Sequence, residues 1–252
     1  MPLNYTMISK STIKYIQSLQ DKKNRDEHNV FIAEGPKVVN ELLQQNIFEC
    51  SAIYCTQKWI DAYAKNVGIN DNKINIIEDF ELQKISGLSI GNQVLAVLNK
   101  KPQQTNLDFC GKLTLVLEDV QDPGNLGTII RTVDWFGIQN IVCTKATADC
   151  YNPKVVQSTM ASLGRVNLIY TDVKALLEAN KSINVYAAVL AGKDVKTIGK
   201  IVEGFILMGN ESKGISESLL EIVNEKITIS KIGEAESLNV AVAASIILHV
   251  VC

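Results

Sequence analysis

Five short, dominantly apolar runs set the tightest limit on how this chain folds. They are Leu113 to Leu117, Ile141 to Cys143, Val185 to Val189, Phe205 to Met208 and Ile227 to Ile229. A strand with one wet face alternates apolar and polar residues, whereas a strand covered on both faces does not. Helix-length stretches separate the runs, so the pattern predicts an α/β fold: a parallel sheet with helices on its faces. The last stretch, Ser237 to Val251, reads as a helix that is apolar almost all round (Val240, Val242, Ala243, Ala244, Ile246, Ile247, Leu248, Val250). Such a helix is buried, in its own fold or against a partner.

A polar segment containing Pro102, Asn99 to Asn106, precedes this region and reads as a linker. It separates an N-terminal domain, 1–103, from a C-terminal domain, 104–252. The first half predicts a small α/β domain. A helix spans Ser11 to Gln20, capped by Ser9 or Ser11, with Ile13, Ile16 and Leu19 on one face. Strand Val30 to Ala33 runs through Glu34-Gly35-Pro36 into a helix carrying Val38, Val39, Leu42 and Leu43. Strands Ala52 to Cys55 and Ile74 to Ile77, helix Asp79 to Lys84 and strand Val94 to Leu98 complete it.

Composition excludes several classes of function. With only His28 and His249, no multi-histidine metal site is available, and the six cysteines form no C-x-x-C pair. No apolar run reaches the roughly 18 residues of a membrane span. Met1 to Tyr5 lacks the basic-then-apolar start of an export signal. The expectation is a metal-free cytoplasmic protein with reduced thiols, away from membranes. The net charge of −2 is not that of a strongly basic nucleic-acid binder. The basic residues between Lys10 and Lys37 form either a local phosphate-binding face or a solvated helix surface.

Three polar loops follow buried strands. In the first, Glu118 to Gly127 leads into a helix Thr128 to Phe136. Its Gly124-x-x-Gly127 spacing departs from the G-x-G-x-x-G of dinucleotide-binding folds, which argues against a nicotinamide-type oxidoreductase. Arg131 lies one turn into that helix, as a functional cation or as a surface residue in an ion pair. The second loop, Gly209-Asn210-Glu211-Ser212-Lys213-Gly214, has two glycines five apart. Ile215-Ser216 stand where a P-loop has Lys and Ser/Thr, and the missing lysine argues against triphosphate hydrolysis. Glu211 alone reads equally as a carboxylate near a helix N-terminus. In the third, Ser230 to Asn239, Ser237 reads as the cap of the terminal helix. Asn239, ahead of an apolar helix, should be partly buried and hydrogen-bonded.

Taken together and in order, these loops resemble the three motifs of the SpoU family, TrmH-like RNA ribose 2′-O-methyltransferases of the SPOUT class. Asn125, Gly127 and Arg131 match the first motif, Gly209, Glu211 and Gly214 the second, and Ser237, Leu238 and Asn239 the third. The N-terminal Val30 to Gly35 with its helix is similar to the ribosomal-protein-like substrate-binding domain of many members. The family usually shows I-P-M-x-G before motif three; here Ile229-Ser230-Lys231-Ile232-Gly233 stands instead, and serine for proline leaves that loop freer.

The resemblance implies a trefoil knot in the C-terminal domain and a homodimer built on the terminal helix. It also implies S-adenosylmethionine held by the loops at Leu190, Gly209 and Ile229, with Leu238 beneath. Arg131 would act at the ribose hydroxyl, oriented with the nucleotide by Asn125, Glu211, Ser237 and Asn239. The N-terminal domain would select RNA, through Lys22, Lys23, Arg25 and Lys37. rRNA is the implied substrate; tRNA is the alternative, as is a non-catalytic RNA-binding protein on the same fold.

Overall fold

The structure, a computed structural model, describes residues 7–63, 71–102 and 108–252, with side chains throughout except at Asp71. Half of the expected linker, 103–106, and the start of the chain, 1–5, lie outside the described residues. The chain forms two compact units: 1–102 with 151–164, and 103–150 with 165–252.

The first unit opens with α1 (Lys10–Ser18), capped by Ser9, whose Oγ accepts from the Thr12 amide at 3.0 Å. Then come α2 (Lys22–His28), β1 (Val30–Glu34), α3 (Pro36–Gln44), β2 (Cys50–Cys55), α4 (Gln57–Tyr63), β3 (Ile74–Ile76), α5 (Asp79–Ile85) and β4 (Val94–Asn99). The sheet order is β1-β4-β2-β3, with β4 antiparallel to β1 and β2, and β3 parallel to β2. Ile16 of α1, Leu19 just after it, and Leu82 and Ile85 of α5 pack on Val30, Ile32, Leu95 and Val97 of the sheet.

Sequence periodicity missed α2, because its sequence KKNRDEH has no apolar residue to count. Its buried residue is Arg25, only 1% exposed. The guanidinium turns inward and donates to the carbonyls of Leu19 at 2.9 Å and Gln20 at 2.6 Å. Arg25 is thus a latch between α1 and α2. This corrects its assignment as a phosphate contact, since an interior side chain does not meet RNA. Arg25→Ala should lower the stability of this unit by about 2 kcal/mol, because the buried Leu19 carbonyl and the partly buried Gln20 carbonyl lose their donor. A thermal melt would measure it; an unchanged melt would refute the latch. Of the other basic candidates, Lys22 is paired with Asp26 at 2.6 Å, and Lys23 and Lys37 are exposed.

The second unit contains β5 (Leu113–Leu117), α6 (Pro123–Trp135) and β6 (Asn140–Cys143). Between β6 and the next strand, the chain enters the first unit as α7 (Pro153–Thr159), which packs on β1. Val155, Val156 and Thr159 are buried there, and the Tyr151 ring lies 4.8 Å from that of Phe31. The second unit resumes with β7 (Asn167–Tyr170), α8 (Val173–Ala179), β8 (Val185–Asp194), β9 (Gly204–Met208), α9 (Glu217–Leu220), β10 (Glu225–Thr228) and α10 (Val240–Val251). Its six strands are all parallel, in the order β10-β8-β9-β5-β6-β7, as the unalternated runs predict. One face of the sheet (Val116, Val142, Ile169, Phe205, Leu207) packs on Val173 and Leu177 of α8 and Leu219 of α9.

Helices α6 and α10 pack against each other, and the Thr132 and Ser245 hydroxyls meet at 3.2 Å. Val240, Ala241, Ala244, Ile247, Leu248 and Val251 of α10 are buried, whereas Val242 is 47% exposed and Ile246 and Val250 are half-buried. Within one chain, then, only one side of this apolar helix is covered.

Candidate active site

The three loops follow β5, β9 and β10, at the C-terminal ends of strands of one parallel sheet, where such a sheet gathers its binding residues. Helix α6 begins at Pro123, earlier than the sequence reading placed it. Asp122 caps it, accepting from the Asn125 amide at 2.8 Å, and proline suits the first helical position. Gly124 to Gly127 are therefore the first turn of the helix and not a separate glycine turn. This puts Asn125 at the helix mouth.

The second loop is closed by Asn210. Its backbone pairs with Gly214 in both directions, at 3.0 and 2.9 Å, and its Oδ1 accepts from the Ser212 and Lys213 amides. Its Nδ2 donates to the Asp119 carbonyl at 2.8 Å, tying this loop to the end of β5. Glu118 adds a tie, accepting from the Ser216 amide at 2.8 Å. Sequence reasoning had quoted Asn210 without giving it a role; an amide side chain inside a two-glycine loop was the available signal. Glu211 is not at the mouth of α9, which starts at Glu217 after Ser216.

Glu211 instead accepts from Asn125 Nδ2 at 3.0 Å, and Asn239 Nδ2 donates to Asn125 Oδ1 at 2.9 Å. One residue from each loop therefore joins a single hydrogen-bonded chain, Asn239–Asn125–Glu211. Asn239 also caps α10, its Oδ1 accepting from the Ala241 and Val242 amides. The cap is thus Asn239 and not Ser237, and it is exposed, contrary to the expectation of partial burial. The amide meets its hydrogen-bonding needs at the surface, by the cap and the contact to Asn125.

A cleft of about 480 Å³ opens beside this chain. Leu190, Gly209, Ile229 and Leu238 all line it, together with Glu211 and Ser237. Its apolar wall comes from Val189, Met208, Ile227, Val240 and Ile247. The size is typical of a small-molecule site, with apolar walls and a few polar groups. Gly209 is required by close backbone approach: a Cβ there would lie 2.3 Å from the Gly214 carbonyl carbon. Gly192, which the sequence reading passed over, has the same need, at 2.6 Å from the Lys226 carbonyl oxygen where β10 and β8 shift register.

Arg131 is not among the residues lining the cleft. It is exposed on α6 beside Thr132 and makes no hydrogen bond or ion pair among the described residues. The surface ion pair that was its alternative reading is absent from the described residues.

The third loop is less free than serine in place of proline suggested. The Ser230 hydroxyl donates to Asp194 Oδ2, and Asp194 Oδ1 accepts from the Lys196 amide at 2.9 Å. The Ser230 hydroxyl, followed by the Lys196 amide, holds the Asp194 carboxyl below the usual carboxylate range. Because the pKa is lowered, this anchor is complete above the ordinary aspartate range and is lost as pH falls through the folded value. Ser230→Ala should weaken small-molecule binding in the cleft about threefold, the worth of one exposed hydrogen bond. Calorimetric titration with S-adenosylmethionine would measure it, and unchanged affinity would show that the anchor does not order the loop.

Among the described residues no cluster of His, Cys, Asp and Glu could hold a metal, and no helix is long and apolar enough to cross a membrane. The profile described as the SpoU rRNA Methylase family matches residues 112–249, and that of the MRM3-like substrate binding domain matches 10–96. The 23S rRNA (guanosine(2553)-2′-O)-methyltransferase RlmP of Bacillus subtilis is 28% identical, over 94% of each chain. A TrmH-family protein from Porphyromonas gingivalis is 32% identical, with a TM-score of 0.85 over 97% of this chain and 98% of its own. An AdoMet-bound rRNA methyltransferase from Sinorhizobium meliloti is 28% identical, with a TM-score of 0.83 over 96% and 94%. The first of these profiles spans more than half of the sequence and carries all three loops, so the chain belongs to the SpoU rRNA methylase family.

Proposed function

We propose that the protein transfers a methyl group from S-adenosylmethionine to a ribose 2′-hydroxyl of RNA, with rRNA as the substrate. The observation that carries this reading is the Asn239–Asn125–Glu211 chain at the edge of a cleft lined by the family's cofactor positions. Full-length similarity to a 23S rRNA ribose methyltransferase supports rRNA over tRNA.

The cleft fits the cofactor chemically. The walls at Val189, Ile227 and Ile247 suit an adenine ring, and the Glu211 carboxylate suits a cationic partner. Leu190, Gly209 and Ile229 would hold the cofactor chiefly through their backbone, with Leu238 beneath it. When bound, S-adenosylmethionine supplies an activated methyl group on a positively charged sulfur.

The protein's own task is then to position the hydroxyl and relieve its proton. A guanidinium stays charged in proteins, so Arg131 suits the role of a clamp on the adjoining phosphate that stabilises developing alkoxide charge. Asn125, Glu211 and Asn239 fix the floor against which the nucleotide is oriented, and Ser237 offers a hydroxyl at the cleft.

A homodimer through α10 completes the proposal. Val242, Ile246 and Val250 leave an apolar face open on this helix, and Arg131 lies on the helix packed beside it. A second copy there would exclude water from the arginine's surroundings. Six free cysteines accord with a cytoplasmic setting.

The test is transfer of labelled methyl to total RNA from cells lacking the protein, fractionated into rRNA and tRNA. Label in rRNA is the expected result. Label confined to tRNA would overturn the substrate, and absence of label despite cofactor binding would favour the non-catalytic alternative.

A further inference from the structure

We propose that α7, encoded within the methyltransferase half of the sequence, forms one wall of the groove in the first unit that reads an unpaired stretch of the RNA substrate. The inference rests on the RNA reading above. It adds a site outside the span matched by the substrate-binding profile, which ends at residue 96.

Two cavities meet along the C-terminal end of β1. One, of about 520 Å³, is lined by Lys37, Tyr63 and Asn92; the other, of about 350 Å³, by Gln20 and Lys154. Glu34 and Gln157 line both. Gln157 is on α7, so the helix that covers β1 is also the boundary at which the two cavities join.

The chemistry of this groove is that of a single-strand reader. The side-chain amides of Gln20, Asn92 and Gln157 make no hydrogen bonds among the described residues, and each offers a donor and an acceptor in one plane, as a base edge does. The Tyr63 ring, 36% exposed, offers a stacking face. Lys37 and Lys154 place one positive charge in each cavity, where a phosphate backbone can pass.

Glu34 decides what goes in the middle. It is 6% exposed and accepts from Ser86 Oγ at 2.5 Å and the Gly87 amide at 2.9 Å. A buried carboxylate repels phosphate and accepts N–H groups. The base, with its ring N–H or exocyclic amine, therefore faces Glu34, and the backbone runs past the lysines. Gly35 makes the turn that brings these groups together, with φ +83°, and a Cβ there would come within 3.5 Å of Asn92 Nδ2.

The experiment measures binding of fluorescein-labelled homopolymeric oligoribonucleotides of A, C, G and U to the full chain. The variants are Gln157→Ala, Lys154→Ala and, as a charge control in the second unit and not among the groove's lining residues, Lys181→Ala. At least one probe should bind, and each α7 variant should weaken it about tenfold, the scale of one base or phosphate contact. Lys154→Ala should also flatten the salt dependence by about one counterion. Affinity for S-adenosylmethionine and the thermal melt should stay unchanged, which separates this role from a structural one. Probe binding that ignores both α7 variants, or that falls equally with Lys181→Ala, overturns the groove while leaving the RNA reading intact. Failure of the unaltered protein to bind any probe, even alongside methylated RNA in the transfer assay, overturns the groove alone. Failure in both assays overturns both readings.

Discussion

Arg131→Ala should reduce methyl transfer by about a hundred- to a thousandfold, the usual loss on removing a preorganised group that meets developing charge. Cofactor binding should be unaffected, because Arg131 stands outside the cleft and makes no hydrogen bond or ion pair among the described residues. Single-turnover transfer and calorimetric titration with S-adenosylmethionine would read the two effects separately. Arg131→Lys should recover little, since a point charge does not reproduce the planar fork that grips a phosphate. If Arg131→Ala abolished cofactor binding, the residue would belong to the cofactor site and the clamp would be wrong. If Arg131→Ala kept full activity, the exposed arginine would be an ordinary surface residue.

Gly209→Ala should have the second large effect, on the cleft itself. The added methyl would meet three backbone atoms of Gly214 and Ile215, at 2.3, 2.5 and 2.5 Å, and backbone yields far less readily than a side-chain tip. Overpacking of this kind costs about 2 kcal/mol or more. At 1.4 kcal/mol per decade that corresponds to a loss of roughly thirtyfold or more in cofactor affinity. Gly214 gives the contrast. It has φ +68° but nothing within 4 Å of its missing Cβ, so Gly214→Asn, which tolerates that backbone, should cost little. Equal losses at the two glycines would mean that conformational freedom, and not close approach, is what the loop requires.

What the sequence made legible follows from how each element is buried. The strands covered on both faces announced themselves by their lack of alternation. β7, Asn167–Tyr170, was passed over: it is one of the two edge strands, is mostly half-buried, and its short apolar run Leu168 to Tyr170 stands between polar residues. Helix α2 escaped because its single interior residue is an arginine. Helix α7 has two buried valines, but nothing local says which sheet they cover. In the candidate site, the three loops were readable as ordered motifs. Their connection was not, since Asn125 bonds to residues 86 and 114 positions away. A pairwise contact at such separation leaves no trace in local pattern. The Ser230–Asp194 anchor was missed for the same reason: replacing proline was visible, and the distant carboxylate that takes over its stiffening was not.

The passage of 151–164 into the first unit has a consequence for how such a protein is inherited. The coding sequence of the first unit is interrupted by that of the second, so no single recombination breakpoint can exchange one for the other. A cut at the linker would carry away the valines that cover β1 and leave them on a fragment with no sheet to meet. Exchanging the first unit intact therefore takes cuts on both sides of 151–164 as well as one at the linker, a harder step than trading a contiguous module.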